Sequence, residues 1–140
     1  MTRAFEDVAV GEELPGLRRL VTREDVSAYA EASGDSNPLH QDDDVARAAG
    51  FDGIIAHGMF TMGHMGACVV AWAGDAAAVM ALTAQFRASV FMGDEIVAGG
   101  RVVAVDAGAR TATCETWVTV QRDGVTEWPV KKGSATVRLR

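Results

Sequence analysis

The stretch Met59–Ala73 is apolar around nearly its whole circumference and contains no Asp, Glu, Lys or Arg. It falls short of the ~20 residues that cross a bilayer, and Gly63, His64 and Gly66 interrupt it. A segment of this kind must be wrapped by the rest of its own chain. The spacing predicts a helix from about Gly58 to Ala73 that stops at Gly74 and is buried on all sides. Gly63 and Gly66 each cost about 1 kcal/mol of helix propensity relative to Ala, so close approach to other backbone is expected there.

The wrapping material follows in the sequence. Beyond Asp75 the pattern has period two, with strands expected at Met80–Phe91, Glu95–Asp106, Arg110–Gln121 and Lys132–Arg138. From Thr111 to Gln121, Ala112, Cys114, Val118 and Val120 alternate with Thr111, Thr113, Glu115, Thr119 and Gln121. One face of that strand is therefore buried. Trp117 breaks the polar face and reads as a contact with another subunit.

Ahead of the long helix, Arg18–Thr22 reads as a first strand. Thr22 has N-cap chemistry for a helix over about Arg23–Ala32, with Glu24 and Asp25 at its positive end. Asp42-Asp43-Asp44 opens a second, short helix with Val45, Ala48 and Ala49 inward and Gly50 as its stop. A calcium loop would need further oxygen ligands and a central glycine, so no metal is assigned. The fold class expected is α+β, one domain over residues 1–140: a curved antiparallel sheet around one buried helix.

Chemistry concentrates between the two shorter helices and the long one. Ser33-Gly34-Asp35-Ser36-Asn37-Pro38-Leu39-His40 is turn-forming sequence carrying an acid, an amide and an imidazole. All three histidines, His40, His57 and His64, lie in this region. An Asp and a His on one rigid loop are suited to shared proton transfer. His57 reads as a structural histidine holding the loop, and His64 as a core or interface residue. Cys68 and Cys114 fit no metal spacing and read as reduced, buried thiols. They point to the cytoplasm, as does an N-terminus without the apolar core of a secretory signal.

Net charge is −6, which argues against nucleic-acid binding. Residues 1–70 carry −7 and residues 71–140 carry +1. An anionic ligand is therefore expected on the C-terminal half, near Arg87, Arg101, Lys131 or Lys132.

Elements in this order, with Ser33-Gly34-Asp35, Asn37-Pro38, His40, Asp42, Phe51 and Ile55-Ala56-His57-Gly58-Met59, resemble the MaoC-like, hydratase-2 branch of the hot-dog fold. Trp72-Ala73-Gly74-Asp75 and Gln85-Phe86-Arg87 extend the similarity. Those parts look most like the smaller catalytic subunit of the actinobacterial type II fatty-acid-synthase (3R)-hydroxyacyl-carrier-protein dehydratases. The resemblance implies (R)-specific hydration of trans-2-enoyl thioesters, or the reverse dehydration, without cofactor or metal. It implies that Asp35 and His40 form the catalytic pair around one water, with acid and base unassigned between them. Gly58, opening the buried helix, is the expected oxyanion donor, and Asn37 supports the loop.

The thioester partner is an acyl-CoA or an acyl carrier protein. The active unit is expected to be a homodimer, with a heterodimer containing a second hot-dog subunit as the alternative, and neither nucleic acid nor membrane as partner. Two other functions compete. A hot-dog acyl-thioesterase would be expected to carry a carboxylate on or beside the buried helix, which Met59–Ala73 lacks, and no GxSxG elbow is present. A tunnel-forming subunit would have no use for Asp35, Asn37 and His40 together.

Overall fold

The computed structural model describes all residues, Met1–Arg140. Strand β1 (Glu13–Leu20) leads into helices α1 (Arg23–Ser33), α2 (Asp43–Ala48) and α3 (Gly58–Ala73). Four strands follow: β2 (Val79–Thr83), β3 (Glu95–Asp106), β4 (Thr111–Arg122) and β5 (Val125–Arg138). They form one antiparallel sheet in the order β1-β3-β4-β5-β2. The sheet curves around α3, which is the hot-dog arrangement. Met65, Cys68, Val69, Trp72 and Ala73 of α3 pack into a core with Ile96, Ala98, Val102, Ala112, Val118, Val130 and Val137.

Local chemistry sets the helix ends. The Thr22 hydroxyl accepts from Asp25 N–H at 3.1 Å, capping α1, and Gly34 closes it in the left-handed region at φ 76°. Asp42 caps α2 by accepting from the N–H groups of Asp44 and Val45. The alternation expected in β4 is present, with Ala112, Cys114, Val118 and Val120 buried.

Several expectations are corrected. β1 starts earlier than Arg18 because an edge strand tolerates Pro15, which falls where the register with β3 slips between Leu14 and Leu17. β2 ends at Thr83 instead of continuing to Phe91. The chain then runs irregularly, with isolated bridges from Phe86 to Val130 of β5 and from Phe91 to Ile55 in the loop before α3. β5 begins at Val125, not Lys132, because Pro129 sits in a register irregularity where no ladder N–H is required. In α2 it is Ala46 that is buried, whereas Val45, Ala48 and Ala49 are exposed. The short helix turns its opposite side to the core.

Helix α3 is not covered on every side. Met59, Gly63, Ala67 and Ala71, four residues apart, form an exposed stripe. No atom would come within 4 Å of a Cβ at Gly63, while one at Gly66 would meet Leu82 at 3.2 Å. The close approach expected at Gly63 does not occur within this chain. Trp117 lies against its cross-strand neighbour Gly99, where an added Cβ would fall 2.6 Å from the indole nitrogen. Its break in polarity is thus matched inside the sheet.

Candidate active site

The loop after α1 is held by its own side chains. Asp35 N–H donates to the Ser33 hydroxyl at 3.1 Å, and the Asp35 carboxylate accepts from Asn37 N–H at 3.2 Å. The Asn37 side-chain oxygen accepts from Leu39 N–H at 3.1 Å and caps the short 3-10 turn Pro38–His40. Asn37 therefore acts on the backbone of the loop. Each of these short polar residues satisfies a nearby N–H, which is why the segment leaves the helix and sets into a defined turn.

The second wall is Ile54–Gly58. Asp43 on α2 anchors it by accepting from Ile54 N–H at 3.0 Å while pairing with Arg23 of α1 at 2.7 Å. Those two contacts, the Ile54 amide first, hold the Asp43 carboxyl below the usual carboxylate range. Two helices and the entry to α3 are thereby tied at one side chain.

Histidines join the walls. His40 Nδ1–H donates to the Ile55 carbonyl at 2.6 Å, so in the neutral ring Nε2 keeps its lone pair. His57 Nε2–H donates to the Asp35 carbonyl at 3.0 Å, which leaves Nδ1 as an acceptor. That Nδ1 is buried and has no partner. The His40 and His57 rings stack with centroids 3.8 Å apart at 25°, and Tyr29 packs on His57 at 4.8 Å. Asp35, His40 and His57 bring one ligand-type atom each to within 4.8 Å of one another.

Could this trio hold a metal? Metal–imidazole bonds lie in the ring plane at about 2.0–2.1 Å for zinc. Stacked rings direct their in-plane lone pairs side by side and not toward one point. The set suits a water hydrogen-bonded among acceptors better than a tetrahedral ion.

Beside the trio, α3 begins. Phe60 and Thr61 N–H groups bond back to the His57 carbonyl, but Gly58 N–H makes no hydrogen bond within the chain. Gly58 lines a slot of about 200 Å³ together with Ile55, Ala56, Thr61, Phe86 and Pro129 among others. A Cβ at Gly58 would sit 3.3 Å from three atoms of the Phe86 ring. The Gly58 N–H stands at the positive end of a 16-residue helix, where the dipole favours negative charge.

Asp35, His40, Asn37 and Gly58 thus gather at one place. His64 lies apart in the core, donating from Nε2 to the Leu17 carbonyl at 2.8 Å, and burial pushes its pKa down. Gly66 packs on Leu82 and does not line the slot. Burial raises both thiols, Cys114 to about 11, which makes them inert at neutral pH. Phe86, expected in a strand, lies in the irregular segment after β2, and His57, expected to hold the loop, also stacks on His40. Ala84-Gln85-Phe86-Arg87 alternates and carries no signal of the first, whereas a histidine directly before a helix-opening glycine signals the second.

Residues 7–124 match the family model described as MaoC like domain. The chain is 38% identical over 101 residues to the mitochondrial 3-hydroxyacyl-[acyl-carrier-protein] dehydratase of Arabidopsis thaliana, covering 68% of this chain and 60% of that protein. It is 31% identical over 136 residues to the (R)-specific enoyl-CoA hydratase of Rhodospirillum rubrum, covering 96% and 90% respectively. Among solved structures, the (R)-hydratase from A. caviae involved in PHA biosynthesis superposes with a TM-score of 0.85 at 28% identity, over 96% of this chain and 99% of that one. The chain spans about three fifths of the length of the Arabidopsis relative.

Proposed function

The chain belongs to the MaoC-like domain family, and on that premise we propose that it is a hydro-lyase. It adds water across the 2,3 double bond of trans-2-enoyl thioesters to give (3R)-hydroxyacyl thioesters, and runs the reverse dehydration. The observation that carries this is the Asp35/His40 cluster, tied through the Ile55 carbonyl to the segment that lines a slot with Gly58, whose N–H is unbonded.

The chemistry follows from the groups. The thioester oxygen docks on Gly58 N–H, which draws electrons from C3. His40 Nε2 accepts one proton of a water whose second hydrogen rests on the Asp35 carboxylate. The water oxygen bonds to C3, the π pair moves to make the enolate, and Gly58 stabilises the charge on its oxygen. As the enolate collapses, the Asp35/His40 pair returns a proton to C2. His57 acts as a positioning residue, fixing the Asp35 carbonyl and stacking on His40.

The test is addition of crotonyl-CoA, following loss of the enoyl absorbance and release of free thiol together. Formation of (R)-3-hydroxybutyryl-CoA without thiol is expected. Thiol release without hydration would establish the thioesterase reading instead, and inactivity rescued by a second hot-dog chain would establish the tunnel-subunit reading.

The same reading includes self-association. β2 is an unpaired edge strand carrying the exposed Met80, and the Met59–Ala71 stripe of α3 lies open to solvent. Exposed edges and apolar faces favour pairing, and a two-fold homodimer is the commonest closed solution. Sedimentation of the purified chain decides this, because a fully active 14.8 kDa monomer would overturn it. No helix is long and apolar enough to cross a membrane.

A further inference from the structure

A second cavity, of about 390 Å³, shares Ala88 with the slot at Gly58. Its walls carry Arg87, Lys131, Lys132 and Trp128, with Glu127 the one carboxylate. Eight arginines elsewhere are engaged in ion pairs, including Arg101 with Glu115 at 3.3 Å. Arg87, Lys131 and Lys132 are in none. Arg101, one of the four cations near which an anion was expected, does not line this cavity.

The backbone explains how two consecutive lysines share one cavity. Successive residues of a regular strand point to opposite faces. The ladder between β4 and β5 jumps from Val118–Val130 to Thr116–Gly133, so Lys131 and Lys132 lie inside a bulge. Lys132 stands there in the left-handed region at φ 57°, a strained position for a non-glycine residue. Both lysines end up exposed and both line the cavity. Lys131 lies 5.8 Å from the Trp128 ring centroid, and Arg87 N–H donates to the Pro129 carbonyl, which fixes the opposite wall.

We propose that this groove binds the nucleotide end of coenzyme A, with Arg87, Lys131 and Lys132 on its phosphates and Trp128 as the platform for its base. The assignment rests on the enoyl-thioester reading above and names its carrier. Three unpaired cations match the diphosphate and 3′-phosphate of coenzyme A, whereas a carrier-protein arm brings a single phosphodiester. An indole wall has a use for a purine and none for a phosphopantetheine serine. The groove adjoins the slot, so one extended molecule can place its phosphates here and its thioester at Gly58.

Isothermal titration with CoA and with adenosine 3′,5′-bisphosphate tests the groove without turnover. In Lys131→Gln/Lys132→Asn, where asparagine tolerates the left-handed backbone, affinity for both ligands should fall about tenfold per cation removed. Arg87→Gln provides a second variant outside the bulge and should show a similar loss. Arg101→Gln should bind as the parent does, and crotonyl-pantetheine, which lacks the nucleotide, should have the same KM in parent and lysine variant. CoA affinity indifferent to all three cations overturns the groove, even in a chain that hydrates enoyl thioesters. Lysine-dependent CoA binding in a chain that hydrates nothing supports the groove and removes the lyase reading. A carrier-protein thioester whose KM depends on these cations while CoA affinity does not would overturn the choice of coenzyme A.

Discussion

The two ends of α3 are finished in opposite ways. At its C-terminus Gly74 turns the chain at φ 84°, and its N–H returns to the Val70 carbonyl. Arg3 N–H then takes the Ala73 carbonyl, the Trp72 indole N–H donates to Glu12 at 2.9 Å, and the Arg3 guanidinium stacks over Trp72. At its N-terminus Gly58 N–H is free, His57 Nδ1 is buried without a partner, and the neighbouring Phe86 is 49% exposed. Folding has satisfied one end and left the other unsatisfied. Buried polar groups cost free energy unless paired. The end that tolerates that cost is the end at which the active site is proposed.

The largest effects should come from the open end. Asp35→Asn keeps the side-chain oxygen that holds Asn37 N–H but removes the charge, and His40→Ala removes the Nε2 acceptor. Each should lower kcat by at least ~100-fold, the low end for positioned acid–base groups, with little change in thermal midpoint because the loop is exposed. Near-normal hydration of crotonyl-CoA by either variant would end the asymmetry.

Gly58→Ala tests the same end through packing. The added methyl presses Phe86 aside by a few tenths of an ångström, and a 1 Å misplacement can cost roughly 100-fold, so about a tenfold loss of kcat is expected. Gly58→Ala/Phe86→Leu separates two causes. Recovery would show that the ring was displaced into the slot, and persistent loss would place the methyl itself against the thioester oxygen.

At the closed end the outcome should reverse. Glu12→Ala strands the Trp72 indole N–H and the Arg3 guanidinium, and should cost about 1–3 kcal/mol of stability with kcat unchanged. Denaturant melts and steady-state rates on the same preparation read both. A catalytic loss larger than the stability loss would show the ends to be coupled.

The smallest effect concerns His64, midway along the helix. Burial holds its folded pKa below the ordinary 6.5, so the folded state binds fewer protons than the unfolded one. Its contribution is complete above about pH 6.5 and is lost as pH falls through the folded value. The carboxyls of Glu12, Asp25 and Asp43 are also lowered but act only below their own ordinary 4.5 and 3.8. Between about pH 6.5 and pH 5 the stability slope should therefore flatten in His64→Gln. An unchanged slope would show that another group is responsible.

Local signals were strong where one residue controls one backbone feature. Thr22, Asp42 and Gly74 could be assigned because a hydroxyl, a carboxylate or a missing Cβ acts within a turn. Boundaries at β1, β2 and β5 moved because a strand is defined by its partner. Pro15 and Pro129 look disruptive until the register slips are known, and Ala84–Phe91 alternates well enough to pass for strand. The candidate site divides the same way. Asp35, Asn37 and His40 stand out within one short loop, while the unpaired acceptor of His57 and the packing of Phe86 beside Gly58 depend on segments far apart in sequence.

By itself the sequence determined the apolar helix, the caps, the turn loop and the alternating strands, because each follows from covalent geometry and neighbours within a few residues. Only the tertiary structure decided which face of α3 stays open, that Arg101 pairs with Glu115 away from the cationic cavity, and how a bulge sets Lys131 and Lys132 on one side. Those outcomes depend on pairing between residues tens of positions apart, and neither hydropathy nor spacing along a single chain records that register.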